Sequence, residues 1–247
     1  MATVSDKTAS FRNHLSDLDI EFDFIDGPIR TTPAAGVDLF YDPPYYAYWV
    51  QESVDAIKAG RQWLRDLIAR KGPYDAVMMF SQGCTLGLSS LLLQGAEEPH
   101  NPLPFKAAIF ICGGPSFDIA QSVGYQVSEE MKERDRQSRL SLDLQADTSA
   151  ILAQGAARWT GGHTGGLSED ELRAEIQGPF KIDIPTVHIY GNKDPRYLAG
   201  VQISAFCNPE KRKVFNHEGG HEIPRRDAVS RRIAMLVEWV LEEADLI

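Results

Sequence analysis

Short apolar runs alternate along the chain with segments that are apolar on one side only. Runs of five or six apolar residues are typical of parallel strands buried on both faces. Such runs occupy residues 76–80, 107–112 and 185–190. Between and after them, apolar residues recur at spacings of three, four and seven, which predicts amphipathic helices. The pattern therefore predicts an α/β fold, with a mostly parallel sheet flanked by helices.

Three helices follow from this periodicity. The first begins after Val50, carries a stripe of apolar residues and ends at Gly72-Pro73. A second follows Gly83 and includes residues 86–93. The last helix has one apolar stripe that predicts packing on the sheet. Its stripe residues are Val229, Ile233, Leu236, Val237, Val240 and Leu241.

The first fifty residues predict one strand and one irregular loop. Residues 20–25 alternate apolar and acidic side chains, as a strand with one covered face does, before Asp26-Gly27-Pro28 ends it. Residues 31–49 are rich in proline and glycine and then in aromatic residues, which predicts a loop that overhangs a pocket. Its aromatic residues are candidates for substrate binding, although packing in a core explains them equally well. They are Tyr45, Tyr46, Tyr48 and Trp49.

Residues 115–179 are polar and helical in character. They contain a run of charges at 129–136 and a capping box formed by Ser168 and Glu171. Because this segment separates two predicted buried strands, we expect it to be a cap inserted into a single domain that spans residues 1–247.

Composition narrows the possible partners. The 247 residues carry a net charge of −10, and their basic clusters are too short to follow a phosphate backbone, which argues against nucleic acid. No apolar run reaches the roughly 20 residues that span a bilayer, and residues 1–6 lack the apolar stretch of a secretory signal. We therefore expect a cytoplasmic protein without a membrane partner. The oligomeric state is not specified. Cys84, Cys112 and Cys207 are widely spaced and odd in number, as reduced core thiols are.

Three short segments carry candidate chemistry. They are Phe80-Ser81-Gln82-Gly83, Gly191-Asn192-Lys193-Asp194 and Gly219-Gly220-His221. Their order, Ser, Asp, His, is the order of the catalytic triad in an α/β-hydrolase. Each segment follows a predicted strand, and Ser81 lies on the turn from a buried strand into a helix, where a hydroxyl is exposed.

The triad assigns a role to each residue. Ser81 is the predicted nucleophile, His221 the general base and Asp194 the acid that orients the imidazole. The backbone N–H of Gln82 is a predicted oxyanion donor. This chemistry needs neither cofactor nor metal. One departure is that Met79 replaces the first glycine of the G-x-S-x-G pattern.

Two other motifs compete for the same segments. His217 to His221 fit H-E-x-x-H, in which a helix presents two zinc ligands. Two adjacent glycines cost a helix about 1 kcal/mol each, and Pro224 follows closely, so a loop is favoured. Asn192-Lys193-Asp194 is reminiscent of guanine recognition, but the sequence contains no phosphate-binding G-x-x-x-x-G-K-[ST] loop.

The chain resembles the FSH-type serine hydrolases of the α/β-hydrolase superfamily, which include fungal polyketide-releasing thioesterases. The resemblance covers nearly the whole chain and rests on six segments. They are residues 7–12, 22–28, 72–75, 80–83, 191–194 and 217–224. It implies hydrolysis of a small-molecule ester or acyl thioester, with a carrier-protein-bound polyketide as one candidate, and a role in fungal secondary metabolism.

The chain departs from this family at its N-terminus. Family members begin with an apolar strand and a Leu-His-Gly-type loop that supplies an oxyanion donor, and the sequence begins after that place. A missing segment, a degenerate relative and a donor from another segment all remain open. The alternative function is therefore a binding or cyclisation protein that keeps the fold without efficient hydrolysis.

Overall fold

The computed structural model describes residues 2–34, 36–162 and 164–247, and its strands form two sheets. The six strands are β1 (Ile29–Thr31), β2 (Tyr45–Ala47), β3 (Ala76–Phe80), β4 (Ala107–Ile111), β5 (Thr186–Tyr190) and β6 (Arg212–Asn216). The central sheet is parallel, with the strand order β3-β4-β5-β6, and the antiparallel strands β1 and β2 form a separate ribbon. The parallel sheet confirms the predicted α/β class.

Helices cover both faces of the central sheet. They are α1 (Ala2–Arg12), α2 (Val54–Lys71), α3 (Gln82–Glu97), α4 (Phe117–Ser122), α5 (Glu129–Ala146), α6 (Thr148–Gln154), α7 (Glu169–Ala174), α8 (Tyr197–Ser204) and α9 (Asp227–Glu242). The predicted end of α2 at Gly72-Pro73 agrees with these bounds, and the predicted apolar stripe at 229–241 lies within α9. The Ser53 hydroxyl accepts a hydrogen bond from the N–H of Ala56 and so caps α2.

The alternation of side chains along β4 explains why both faces need a cover. Ala108 and Phe110 pack with Leu88 and Leu92 of α3 on one face. The other face is covered by α9, whose apolar stripe packs against Ala107, Ile109 and Ile111. Burying a side chain such as Leu88 stabilises the fold by roughly 2 kcal/mol, so the continuous apolar runs place the sheet at the centre.

The predicted strand at residues 20–25 is wrong. The segment forms no strand among the described residues, and its aromatic rings instead meet a cation. Phe22 and Phe24 stack at 6.4 Å, and the Arg12 guanidinium lies 5.6 and 4.9 Å from their centroids. Alternation of apolar and acidic residues indicates that one face of the segment is covered. A strand also needs a neighbouring backbone with which to pair. None of the described strands pairs with this segment.

The segment at 31–49 is less irregular than predicted. Its two ends are drawn together because β1 pairs with β2, with Arg30 opposite Tyr46. Pairing of this kind depends on residues about fifteen positions away, so local composition gave no sign of it. The rest of the described segment is turns, a short 3₁₀ helix at Val37–Leu39 and coil.

The polar segment between β4 and β5 contains α4, α5, α6 and α7, and the predicted capping box is present at the start of α7. The charge run at 129–136 lies in α5. Across the described residues, the structure contains no helix that is both long and apolar enough to cross a bilayer.

Candidate active site

Ser81 forms the turn that joins β3 to α3. Its φ of 52° lies in the left-handed region, a strained conformation for a residue with a side chain. Its N–H donates to the carbonyl of Ile111 at 3.0 Å, which ties the turn to the end of β4. The chain thus changes from strand to helix within one residue, as the sequence predicts.

The substitution of methionine for glycine at position 79 is accommodated by α3. A Cβ atom at Gly87 would lie 1.8 Å from the sulfur of Met79, so the missing side chain at 87 makes the room that Met79 fills. Both residues are buried. A glycine six residues after the serine, at position 87, was the sequence signal that could have predicted this compensation.

His221 connects Ser81 with Asp194. Its Nε2 lies 2.9 Å from the Ser81 Oγ, and its Nδ1 lies 2.8 Å from the Asp194 Oδ2. In the neutral tautomer that satisfies both contacts, Nδ1–H donates to the carboxylate and the serine hydroxyl donates to Nε2. The structure therefore brings all three residues of the predicted triad together.

Asp194 lies in the turn after β5, and 1% of its surface is exposed. The Arg196 N–H donates to its Oδ1 at 2.7 Å, while its own N–H donates to the carbonyl of Gly191. These bonds fix the carboxylate so that Oδ2 faces the imidazole. Because the group is buried, its interaction with His221 is weakly screened by solvent.

Residues 217–221 form a loop rather than a helix, as predicted. The helical presentation required by an H-E-x-x-H zinc site is therefore absent. His217 Nδ1 accepts a hydrogen bond from the Gly219 N–H, and burial lowers its pKa to about 4, so it is neutral. Gly191 permits the loop to approach, since a Cβ there would lie 2.0 Å from the Gly219 oxygen.

Two aromatic side chains enclose His221. The ring of Phe80 lies 5.2 Å from the imidazole and that of Trp159 lies 6.4 Å from it. Trp159 is 6% exposed and packs so closely on Gly220 that a Cβ there would lie 2.1 Å from the indole. The position of Trp159 beside His221 was not predicted, because no local sequence pattern indicates contact between residues about sixty positions apart.

Cys112 lies behind the His221 loop at the end of β4. Its thiol is 3.6 Å from His217 Nε2 and 3.5 Å from the carbonyl oxygen of Glu222, and its φ is 49°. Burial, followed by the charge of Asp194, holds the thiol pKa well above its usual range. The thiol is therefore protonated and unsuited to nucleophilic attack. All three cysteines are free and buried, which agrees with the prediction of reduced core thiols.

Gln82 links the nucleophile turn to the aromatic segment. Its backbone N–H opens α3, where an amide has no partner within the helix. Its side-chain oxygen accepts from the Tyr48 N–H at 3.0 Å, and its side-chain nitrogen donates to the Trp49 carbonyl at 3.0 Å. The side chain therefore holds residues 48 and 49 beside Ser81.

The four predicted substrate-binding aromatics occupy different environments. Tyr48 lies beside Gly83 in the nucleophile turn, whereas Trp49 is buried among Ile57, Leu86 and Leu93. Tyr45 and Tyr46 lie in β2, where the Tyr45 hydroxyl donates to the Tyr41 carbonyl and Tyr46 is exposed. The ring of Tyr48 therefore packs against the start of α3, two residues after Ser81.

A buried ion pair joins the Asp194 turn to α5. The Arg196 guanidinium donates to the Asp135 carboxylate at 2.7 Å and to the Ser138 hydroxyl at 2.6 Å. Asp135 also accepts from Arg139, which pairs in turn with Glu52. The polar segment between β4 and β5 is thereby fastened to the turn that carries the predicted acid.

A serine, an imidazole and a buried carboxylate in hydrogen-bond sequence, at the carboxyl ends of parallel strands, are features of a serine hydrolase. Comparison with known proteins agrees. The family model described as "Serine hydrolase (FSH1)" matches residues 1–233. The chain belongs to this serine hydrolase family and is an enzyme of the hydrolase class.

Curated relatives of the chain are fungal hydrolases. Esterase FPY3 of Fusarium mangiferae is 28% identical over 222 residues, which cover 89% of this chain and 81% of that protein. Esterase alnB of Emericella nidulans is 26% identical and covers 93% of this chain and 88% of its own. Among solved structures, an inhibitor complex of Bacillus megaterium epoxide hydrolase is 12% identical, with a TM-score of 0.46, and covers 78% of this chain and 79% of its own.

Proposed function

We propose that the protein hydrolyses an ester or acyl thioester through Ser81, His221 and Asp194. The observation that carries this proposal is the continuous pair of contacts from Ser81 Oγ to His221 Nε2 at 2.9 Å and from His221 Nδ1 to Asp194 Oδ2 at 2.8 Å. A general base must lie within about 3 Å of the proton that it removes, and His221 meets this condition.

The reaction would proceed in two acyl-transfer steps. Ser81 Oγ attacks the substrate carbonyl carbon while His221 Nε2 takes its proton, and Asp194 stabilises the imidazolium. The N–H of Gln82 donates to the developing oxyanion. His221 then protonates the leaving alcohol or thiol, which departs and leaves an acyl-Ser81. Water attacks this ester with His221 again as base, releasing the acid and the free serine.

The setting of the reaction is part of the proposal. Residues 115–179 would act as a cap over the triad within one domain spanning 1–247, since Trp159 of this segment encloses His221. The relatives FPY3 and alnB are esterases by name, which supports an ester substrate. The thioester, the carrier-bound polyketide and the role in secondary metabolism rest on the family resemblance.

A fluorophosphonate probe tests the nucleophile directly. We expect it to label the wild-type protein and Ser122→Ala, a control serine that hydrogen-bonds within α4, but not Ser81→Ala. His221→Ala should label slowly. Absence of labelling in folded wild-type protein would contradict hydrolysis and favour the binding or cyclisation alternative. Turnover of p-nitrophenyl butyrate compared with butyryl-N-acetylcysteamine then separates ester from thioester preference.

A further inference from the structure

Three side chains with metal-binding atoms lie close together next to the predicted nucleophile, Ser81. Cys112, Asp194 and His221 each offer one ligand atom, and these atoms lie within 4.8 Å of one another. Some point therefore lies within about 2.8 Å of all three, whereas zinc bonds to such ligands measure roughly 2.0 to 2.3 Å. Movements of less than about 1 Å would complete the coordination of an ion by these ligands.

The donor set suits a soft divalent cation. A thiolate, a carboxylate and an imidazole are ordinary ligands of zinc, and two negative charges would neutralise a dication in this buried place. Cys112 and Asp194 are 2% and 1% exposed, while the side chain of His221 is 11% exposed and offers the approach. The Cys112 thiol is protonated in the free protein, so a cation would replace its proton.

We infer that Cys112, Asp194 and His221 form an inhibitory site for a soft divalent cation such as zinc. The cation binds Nδ1 of His221, so the proton on that nitrogen moves to Nε2, and the thiol proton leaves to solvent. An Nε2 that carries a proton cannot accept one from Ser81. Binding itself is independent of catalysis, while the inhibitory effect rests on the proposed function.

This site differs from the H-E-x-x-H reading of the sequence. His217 uses Nδ1 to accept from Gly219, and Glu218 is exposed to solvent. Only His221 is common to the two candidate sites. Substitution of His217 therefore separates them.

Cadmium titration of the full chain tests the site without any need for activity. Thiolate-to-cadmium charge transfer gives an ultraviolet band, which we expect at one ion per protein in the wild type and in Cys84→Ala. Cys84 is a matched control because it is also a buried free thiol. The band should be lost in Cys112→Ala and retained in His217→Ala. Cys112→Ser, which keeps the size of the side chain, gives the same test if the alanine variant does not fold.

Zinc inhibition of ester hydrolysis provides the second readout. Because loss of a second-shell partner alone weakens metal binding 10- to 100-fold, loss of the Cys112 ligand should raise the inhibitory zinc concentration by about 100-fold or more. A cadmium band or zinc inhibition that is unchanged in the Cys112 variants would overturn the site, as would loss of the band in His217→Ala. A metal-free wild type that does not hydrolyse esters would contradict the proposed function alone.

Discussion

The backbone N–H of Arg196 donates to Oδ1 of Asp194 at 2.7 Å, which leaves Oδ2 to accept from His221. Oδ1 therefore fixes the position of the carboxylate, and Oδ2 interacts with the imidazole. An asparagine at 194 would keep its oxygen on the Arg196 N–H and turn its amide N–H₂ toward the imidazole.

We therefore expect Asp194→Asn to fold normally and to lose most of its turnover. The amide would donate to His221 Nδ1 and stabilise the tautomer with its proton on Nε2, which cannot act as the base. The corresponding change in a serine protease lowers kcat about 10⁴-fold. Steady-state hydrolysis of p-nitrophenyl butyrate measures the effect. Asp183→Asn, at an exposed carboxylate that contacts Lys211, is the control. Equal activity of Asp194→Asn and the wild type would remove Asp194 from the mechanism.

The contact between Gly220 and Trp159 gives a second prediction. A methyl group at 220 would lie 2.1 Å from the indole, so Gly220→Ala must displace Trp159 or the His221 loop. Because a misplacement of about 1 Å can cost 10²-fold in rate, we expect kcat to fall by roughly that factor.

Gly219→Ala is the matched comparison for this change. A methyl group there would meet His217 Nδ1 at 2.9 Å and the Glu222 carboxylate at 3.0 Å, and the latter side chain can swing away. We expect a smaller loss in this variant. A Gly220→Ala enzyme as active as the wild type would show that Trp159 does not constrain His221.

The buried pair of Arg196 and Asp135 predicts a large effect on stability. Arg196→Met leaves Asp135 with Arg139 as its remaining cation, and removal of one partner of a buried pair typically costs 3 to 5 kcal/mol. Because Arg139 still compensates part of the charge, we expect a loss of about 3 kcal/mol in the free energy of unfolding. Urea denaturation followed by circular dichroism measures it.

An exposed pair provides the control for that experiment. Arg136 is 59% exposed in its contact with Glu133, so Arg136→Met should change the free energy of unfolding far less than Arg196→Met does. Similar losses in the two variants would indicate that burial does not distinguish these pairs.

Two buried histidines predict loss of stability in mild acid. Burial lowers the pKa of His188 to about 3 and that of His217 to about 4. Both folded-state pKa values lie below the ordinary value near 6.5, so the unfolded chain binds more protons as the pH falls. The stability that each neutral histidine contributes is fully present above about pH 6.5. It falls by about 1.4 kcal/mol per pH unit, down to about pH 4 for His217 and about pH 3 for His188.

Urea unfolding at about pH 7 and about pH 5 tests this direction. His188→Gln carries no titrating group and should lose less stability between the two pH values than the wild type. His100→Gln, at an exposed position, should behave like the wild type. An identical acid dependence in His188→Gln would show that His188 is not held neutral by the fold.

Local pattern was sufficient to predict the elements that carry the triad. Runs such as 76–80 and 107–112 identify strands buried on both faces, and parallel strands bring their carboxyl ends to one edge of the sheet. Ser81 and Asp194 each follow such a strand, whereas His221 follows β6, an edge strand in which Val214 is exposed. Their meeting was therefore predictable from order and position, without knowledge of any side-chain contact.

Contacts between distant segments were not predictable in this way. The alternation at 20–25 indicates a covered face but gives no information about a partner strand, so the strand that it predicts does not form. The sequence predicts only an ordinary core thiol at Cys112. Its position near His221 depends on the register of β4 with β5, which local pattern does not indicate. Trp159 and the Arg196 pair likewise depend on how the segment between β4 and β5 folds back.

In the proposed hydrolase, the ion pair between Arg196 and Asp135 makes the two ends of the segment between β4 and β5 unequal. Lifting α5 would pull Arg196 away from Asp135 and disturb Asp194, which lies two residues before Arg196, so we expect α5 to act as a hinge. The α6 end, where Leu152 is exposed, has no ion pair among the described contacts and meets the rest of the chain through Ile151, which packs on Gly36. For the proposed acyl substrate, entry is therefore expected beside α6.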